Sequence, residues 1–127
     1  MKEFLSSWGL VFLSALFDSY AAFIVKRQFN TLGKIDFSSF NSFFEYILLF
    51  FKNPLLITAL ITFLCAPGLW FIALNKLDLS IAYPVLVVFH LIFILLAGIL
   101  LLGEGLSLNK AIGCSLILIS LYFFYKN

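Results

Sequence analysis

Charged residues are scarce in this chain. Lys, Arg, Asp and Glu together make up 11% of the 127 residues, whereas 64% are hydrophobic, and the mean hydropathy is +1.15. A soluble domain is about half apolar and about a quarter charged. A chain with so little charge cannot cover a water-facing surface. We therefore predict an integral membrane protein with a single domain over residues 1–127.

Residue types that support catalysis or metal binding are also few. The chain has one histidine and two cysteines, and Cys65 and Cys114 both lie within apolar runs. No Cys/His cluster has metal-ligand spacing, and no phosphate-binding glycine loop, nucleophile elbow or paired-carboxylate motif occurs. The basic residues are scattered and form no stripe. We expect no enzyme, no metal site, no cofactor and no nucleic-acid partner.

Long apolar runs are the dominant feature of the sequence. Four of them approach the roughly 20 residues that a membrane-spanning helix needs, and they cover residues 8–25, 54–74, 81–102 and 108–125. The sequence thus predicts an all-α bundle of four transmembrane helices. The last three runs are joined by short connections, which predict a hairpin stack of antiparallel neighbours. An even number of spans places both termini on one side.

The long connection between the first two runs contains an amphipathic segment. Between residues 36 and 52, phenylalanine, isoleucine and leucine recur at helical spacing, with Ser, Asn and Glu mostly on the other side. This pattern predicts a helix lying in the headgroup layer. The alternative is that residues 43–51 extend the second span. Asn53-Pro54 favours a break, because proline suits the first turn of a new helix.

The basic residues give a small bias in orientation. The first and third connections and their flanks carry five positive charges, and the other side of the membrane carries three. The positive-inside rule then places the termini outside and these two connections in the cytoplasm.

Asp18 is the main candidate functional residue because it lies in the middle of the first apolar run. A charge at membrane depth is costly, and such residues usually mark an ion or substrate pathway. Ser14, Ala21 and Ala22 share its helical face, and small residues let another helix approach closely. We predict that Asp18 faces a cavity or interface and binds a substrate or a proton, with Ser14 beside it. The alternative is a hydrogen-bonded structural carboxylate.

Two residues of the third run are candidates for the same site. Tyr83 and His90 are one heptad apart and bring polar groups to one face of an apolar helix. They are predicted to line the wall of a binding site that supports Asp18. The alternative is a hydrogen bond from each to a neighbouring backbone or hydroxyl group. Gly98, Gly113 and Ala22 are predicted helix-packing positions.

Several short motifs resemble the small four-helix members of the drug/metabolite transporter superfamily. They are Phe17-Asp18-Ser19 with Lys26, the stretch 74–86 (LNKLDLSIAYPVL), the stretch 102–107 (LGEGLS) and Ala111-Ile112-Gly113. The resemblance covers nearly the whole chain apart from residues 26–53. It implies a multi-pass protein of the inner membrane that works as a homodimer or a heteromeric pair.

Two groups within that superfamily are similar to this chain. Small multidrug resistance proteins exchange protons for hydrophobic or guanidinium-type cations at one carboxylate of the first helix, which Asp18 matches. Tyr83 matches their tyrosine, but Leu86 stands where they have tryptophan. Aminoarabinose-phosphoundecaprenol flippase subunits share the segment 81–86 and the turn with Glu104 and Ser107, but they do not depend on an acid in the first helix.

The sequence therefore favours a small membrane transporter. We expect it to flip or export a lipid-linked sugar or another amphiphile, with membrane lipid as its surroundings. The alternatives are a proton-coupled cation exporter that uses Asp18 and an assembly subunit that transports nothing. In the last case, Asp18, Tyr83 and His90 would tolerate substitution.

Overall fold

The computed structural model describes residues 2–33 and 38–126. Within these residues the chain is all-α, as predicted, and it forms five helices. They are α1 (Lys2–Leu32), α2 (Phe40–Lys52), α3 (Pro54–Leu74), α4 (Leu79–Leu100) and α5 (Leu108–Lys126). Residues 36 and 37, at the start of the predicted interfacial segment, lie outside the described residues.

Three helices in the described part of the chain are long and apolar enough to cross a membrane. They comprise Ser6–Leu32 of α1, the whole of α3 and the whole of α4, which is compatible with a membrane protein. The apolar stretch of α5, Leu108–Phe124, is shorter, so a fourth span remains a prediction. Helix α3 coincides with the predicted run 54–74. Helix α1 continues through Lys26 and Arg27 to Leu32, well beyond the predicted end at residue 25.

The boundary between α2 and α3 is a single residue, Asn53. Its backbone is extended, and its side-chain oxygen accepts a hydrogen bond of 3.0 Å from the Leu55 amide. Pro54 then occupies the first helical position, where its missing N–H leaves no donor unsatisfied. At the other end of α2, Ser39 caps the helix by accepting from the Ser42 amide at 3.2 Å. Helix α2 is therefore a separate element and not an extension of α3.

Helix α1 is the centre of the packing. Both α3 and α4 pack against α1, and α5 packs against α4. The predicted tight hairpin stack is wrong for the second and third runs, because α3 and α4 pack mainly on α1. They meet each other through side chains such as those of Ala73 and Leu86. Small buried side chains on α1 let both helices approach its backbone; they are Ser7, Ser14, Ala15, Ser19 and Ala21.

The buried residues form two clusters along α1. One joins Val11, Ala15, Ala73 and Leu86, and the other joins Ala21, Ile24, Leu56 and Ala59. Aromatic rings extend the first cluster, and the Phe12 ring meets those of Phe89 and Phe93 edge-to-face at 5.3 and 5.2 Å. Asp18 lies on α1 between the two clusters, where the apolar packing is interrupted.

Candidate functional site

Asp18 and His90 meet between α1 and α4. The distance between Asp18 Oδ2 and His90 Nε2 is 3.0 Å, and the side chains are 39% and 25% exposed, respectively. The ring N–H is not aligned for a hydrogen bond, so the buried Nε2 has no hydrogen-bond partner among the described residues. The contact is thus an ion pair when His90 is protonated. The structure brings together two residues that the sequence placed 72 positions apart.

The pair lies in a cleft where α1, α3 and α4 converge. The cleft has a volume of about 300 Å³, and its lining residues are Ser14, Asp18, Ala66, Pro67, Trp70, Tyr83, Leu86, Val87 and His90. The Tyr83 side chain is 55% exposed, and its ring meets that of Trp70 at 6.2 Å in a T-shaped arrangement. All four predicted site residues therefore border the same space, which we call the Asp18–His90 cleft.

Ser14 makes a hydrogen bond between two helices. Its buried hydroxyl donates a 2.8 Å hydrogen bond to the carbonyl oxygen of Ala66 on α3. This bond joins α1 to α3 at the floor of the cleft, directly before Pro67. Since the hydroxyl proton is already used, Ser14 can offer only an acceptor to a bound molecule.

A second space is also lined by Asp18. It has a volume of about 480 Å³ and runs along α1 from Asp18 to Lys26, and we call it the Lys26 groove. The remaining lining residues are apolar: Ala21, Ala22, Val25, Phe29, Phe50, Ala59, Leu60 and Phe63. Eight residues separate Asp18 from Lys26, about 12 Å along a helix. Asp18 thus borders both the Asp18–His90 cleft, where Ser14, Tyr83 and His90 add polar groups, and a groove that is otherwise apolar up to Lys26.

The predicted helix-packing residues occupy three different environments. Gly98 is buried, and a Cβ atom there would stand 3.0 Å from Glu104 Oε2, so the glycine makes room for the loop after α4. At Gly113, no described residue comes within 4 Å of the equivalent position. Ala22 is exposed in the Lys26 groove, whereas its neighbour Ala21 is buried. A contact with another chain at Gly113 or Ala22 stays a prediction.

Trp70 is a member of the cleft that the sequence did not reveal. A tryptophan near the end of an apolar run is typical of an anchor at the membrane interface. In the structure it packs against the first buried cluster and lines the cleft. The sequence did contain an indication of this position, because Trp70 follows Pro67-Gly68. A helix loses regularity at such a pair and opens space for a large ring.

Among the described residues, no group of three His, Cys, Asp or Glu side chains could hold a metal ion.

Comparisons with known protein families, curated proteins and solved structures found no match to this chain.

Proposed function

We propose that this chain is a membrane transport subunit that flips or exports an amphiphile, such as a lipid-linked sugar, with Asp18 as its polar contact. The observation that carries the proposal is that Asp18 borders both the Asp18–His90 cleft, which holds other polar side chains, and the mostly apolar Lys26 groove. A molecule with a polar head and an apolar body would place the head in the cleft and the body in the groove. The motif resemblance to drug/metabolite transporters supports the same class.

The cost of placing Asp18 in an apolar helix supports a functional role. A charged side chain at membrane depth is retained where it faces a cavity or a partner, and Asp18 has both. His90 and Tyr83 add polar groups that a sugar or phosphate head could contact. In this proposal the three side chains line the headgroup path through an inner membrane, while hydrocarbon occupies the groove.

A proton-coupled exporter of hydrophobic cations is the second candidate. The rings of Trp70 and Tyr83 share the cleft with Asp18, and aromatic faces attract organic cations. In this version, Asp18 binds either a proton or the cation, and His90 is displaced from it when the cation enters. The third candidate is an assembly subunit in which the cleft stays empty.

The proposed oligomer is a homodimer or a heteromeric pair. In one subunit the candidate site lies on an open face, where Tyr83 is 55% exposed. A second subunit would enclose the path. The mostly exposed α5 leaves a long apolar surface for lipid or for such a partner.

Vesicle reconstitution separates these candidates. Fluorescent single-chain amphiphiles with anionic, neutral and cationic heads are placed in one leaflet, and their appearance in the other is timed by a membrane-impermeant quencher. We expect Asp18→Asn to abolish protein-dependent movement. Ser120→Ala is the matched control, because the Ser120 hydroxyl bonds within its own helix to the Ile117 carbonyl at 2.7 Å. Full movement in Asp18→Asn would contradict the proposal.

Proton release from detergent-solubilised protein on adding guanidinium or quaternary ammonium compounds tests the second candidate. Release that disappears in Asp18→Asn would favour cation exchange over amphiphile movement. If folded protein shows neither activity, the assembly subunit becomes the better account.

A further inference from the structure

The Lys26 groove continues beneath α2. A second hollow of about 290 Å³ lies between α1, α2 and α3. The groove and this hollow share four lining residues: Val25, Phe29, Phe50 and Leu60. Together they form one trough that runs from Asp18, past Lys26, to the underside of α2.

The trough has the Asp18 carboxylate at one end and the Lys26 ammonium further along, and its other lining residues are mostly apolar. Lys26 is its only basic lining residue, is exposed, and has no ion-pair partner among the described residues. Tyr46 lines the α2 end beside Phe29, with ring centroids 6.1 Å apart. Burial raises the pKa of the Tyr46 phenol above its ordinary value, so this end acquires no negative charge near neutral pH.

Lys26 lies at the level where α2 meets α3. Ile24, one turn or less from Lys26, packs in the same cluster as Leu56 of the first turns of α3 and Phe50 of α2. Helix α2 has no buried residue, and it exposes Phe40, Phe44, Leu48, Leu49 and Phe51. An amphipathic helix of this kind lies at the boundary of headgroups and acyl chains. The Lys26 ammonium is therefore at headgroup height, with the trough leading from it into the hydrocarbon.

We propose that the trough is a binding site for one anionic phospholipid, with an acyl chain in the trough and the phosphate paired with Lys26. Between Asp18 and Lys26, and beneath α2, the lining offers little that could hydrogen-bond water, so hydrocarbon fills this part of the trough. The Lys26 side chain covers apolar surface with its methylenes and presents its charge to the headgroup layer. The inference rests on the membrane insertion proposed above. The lipid occupies the groove in the absence of a transported molecule and is displaced when one enters, so its binding is measured without transport.

Charge complementarity distinguishes this occupant from the others. A zwitterionic lipid such as phosphatidylcholine would also fill the trough, but its own ammonium neutralises its phosphate and weakens the attraction to Lys26. A non-ionic detergent offers Lys26 no counter-ion. A second copy of this chain would need an acidic side chain opposite Lys26. Among the described residues, Lys26 is the only cation that lines the trough, and it matches a headgroup of net negative charge, such as phosphatidylglycerol, whose phosphate is not neutralised by a positive group of its own.

Native mass spectrometry of the full chain tests the site. The protein is reconstituted in vesicles of equal phosphatidylglycerol and phosphatidylcholine, extracted in mild detergent, and the lipids that remain bound are counted. We expect one retained lipid per chain with phosphatidylglycerol preferred, and Lys26→Gln should lower that preference about five-fold. Lys26→Arg should keep it. Lys110→Gln is the matched control, because the Lys110 ammonium donates to the Gly105 carbonyl at 3.1 Å on another part of the molecule.

A second variant tests the trough independently of charge. Leu60→Trp narrows the shared part of the trough and should reduce retention of both lipids. An unchanged preference in Lys26→Gln, or an equal loss in Lys110→Gln, would overturn the proposal in favour of diffuse surface charge. The proposal would also be overturned if Leu60→Trp retained as much lipid as the unchanged protein. It would likewise be overturned if the variants changed the oligomeric state but not the amount of bound lipid. Transport assays on the same variants show separately whether the proposed transport function fails, so a failure of lipid binding is not confused with a failure of transport.

Discussion

Helices α1 and α5 are both apolar, but they place their polar side chains in opposite positions. In α1, Ser7, Ser14, Ser19 and Gln28 are buried. In α5, Ser115 and Ser120 are exposed, and their hydroxyls bond to carbonyls of their own helix at 2.9 and 2.7 Å. The large residues of α5 are exposed as well; they include Leu116, Leu118, Ile119, Tyr122 and Phe123.

This contrast shows what organises the molecule. In water, an exposed row of leucine and phenylalanine would be a liability, but lipid tails are as apolar as leucine, so no hydrophobic force drives such residues inward. Helices in lipid associate through close packing and hydrogen bonds instead. In α1 the small and polar residues are buried against α3 and α4, whereas Ser115 and Ser120 of α5 bond to their own helix. In the membrane that we propose for this chain, this difference accounts for the central position of α1 and the edge position of α5.

The largest expected difference between the two helices is in tolerance to added volume. Ala15 is fully buried in the cluster with Val11, Ala73 and Leu86, so Ala15→Leu should lower the free energy of unfolding by about 1–3 kcal/mol. Ser115→Leu, at an exposed position of α5, should change it by less than about 0.5 kcal/mol. Unfolding by denaturing detergent in mixed micelles, followed by circular dichroism, measures both. Equal effects would show that α5 is packed as tightly as α1.

A smaller difference is expected for the hydroxyl groups. Ser14→Ala removes the 2.8 Å bond from α1 to the Ala66 carbonyl, which should cost about 0.6–1.5 kcal/mol. Ser115→Ala removes a bond within one helix and should have almost no effect. The same unfolding experiment compares them. If both changes were neutral, the Ser14 bond would contribute nothing to holding α3 against α1.

The smallest effect is expected from shortening an exposed side chain. The Leu116 side chain is 61% exposed, so Leu116→Ala should stay within about 0.5 kcal/mol of the unchanged protein in a monomeric detergent preparation. Repeating the measurement at several protein concentrations tests whether α5 contacts a second subunit. A loss of stability that grows with protein concentration would mean that α5 is covered by a second subunit, and not only by lipid.

The sequence predicted some local features well. Proline after Asn53 cannot continue a helix from the preceding turn and suits the start of a new one, so the break between α2 and α3 was predictable. The face that Asp18 shares with Ser14, Ala21 and Ala22 follows from the helical repeat. In the structure Ser14 and Ala21 are buried, whereas Ala22 is exposed. By contrast, the end of α1 was not predictable from hydropathy, because Lys26 and Arg27 end the apolar run without ending the helix.

The sequence alone determined the all-α class, the apolar character and the unusual carboxylate at Asp18, because composition and helical spacing are local properties of the chain. Only the tertiary structure decided that His90 is the partner of Asp18, that α3 and α4 flank α1, and that Trp70 lines the cleft. Those outcomes depend on how residues distant in sequence pack in three dimensions. The helical period specifies the face on which a side chain lies, but not which helix covers that face.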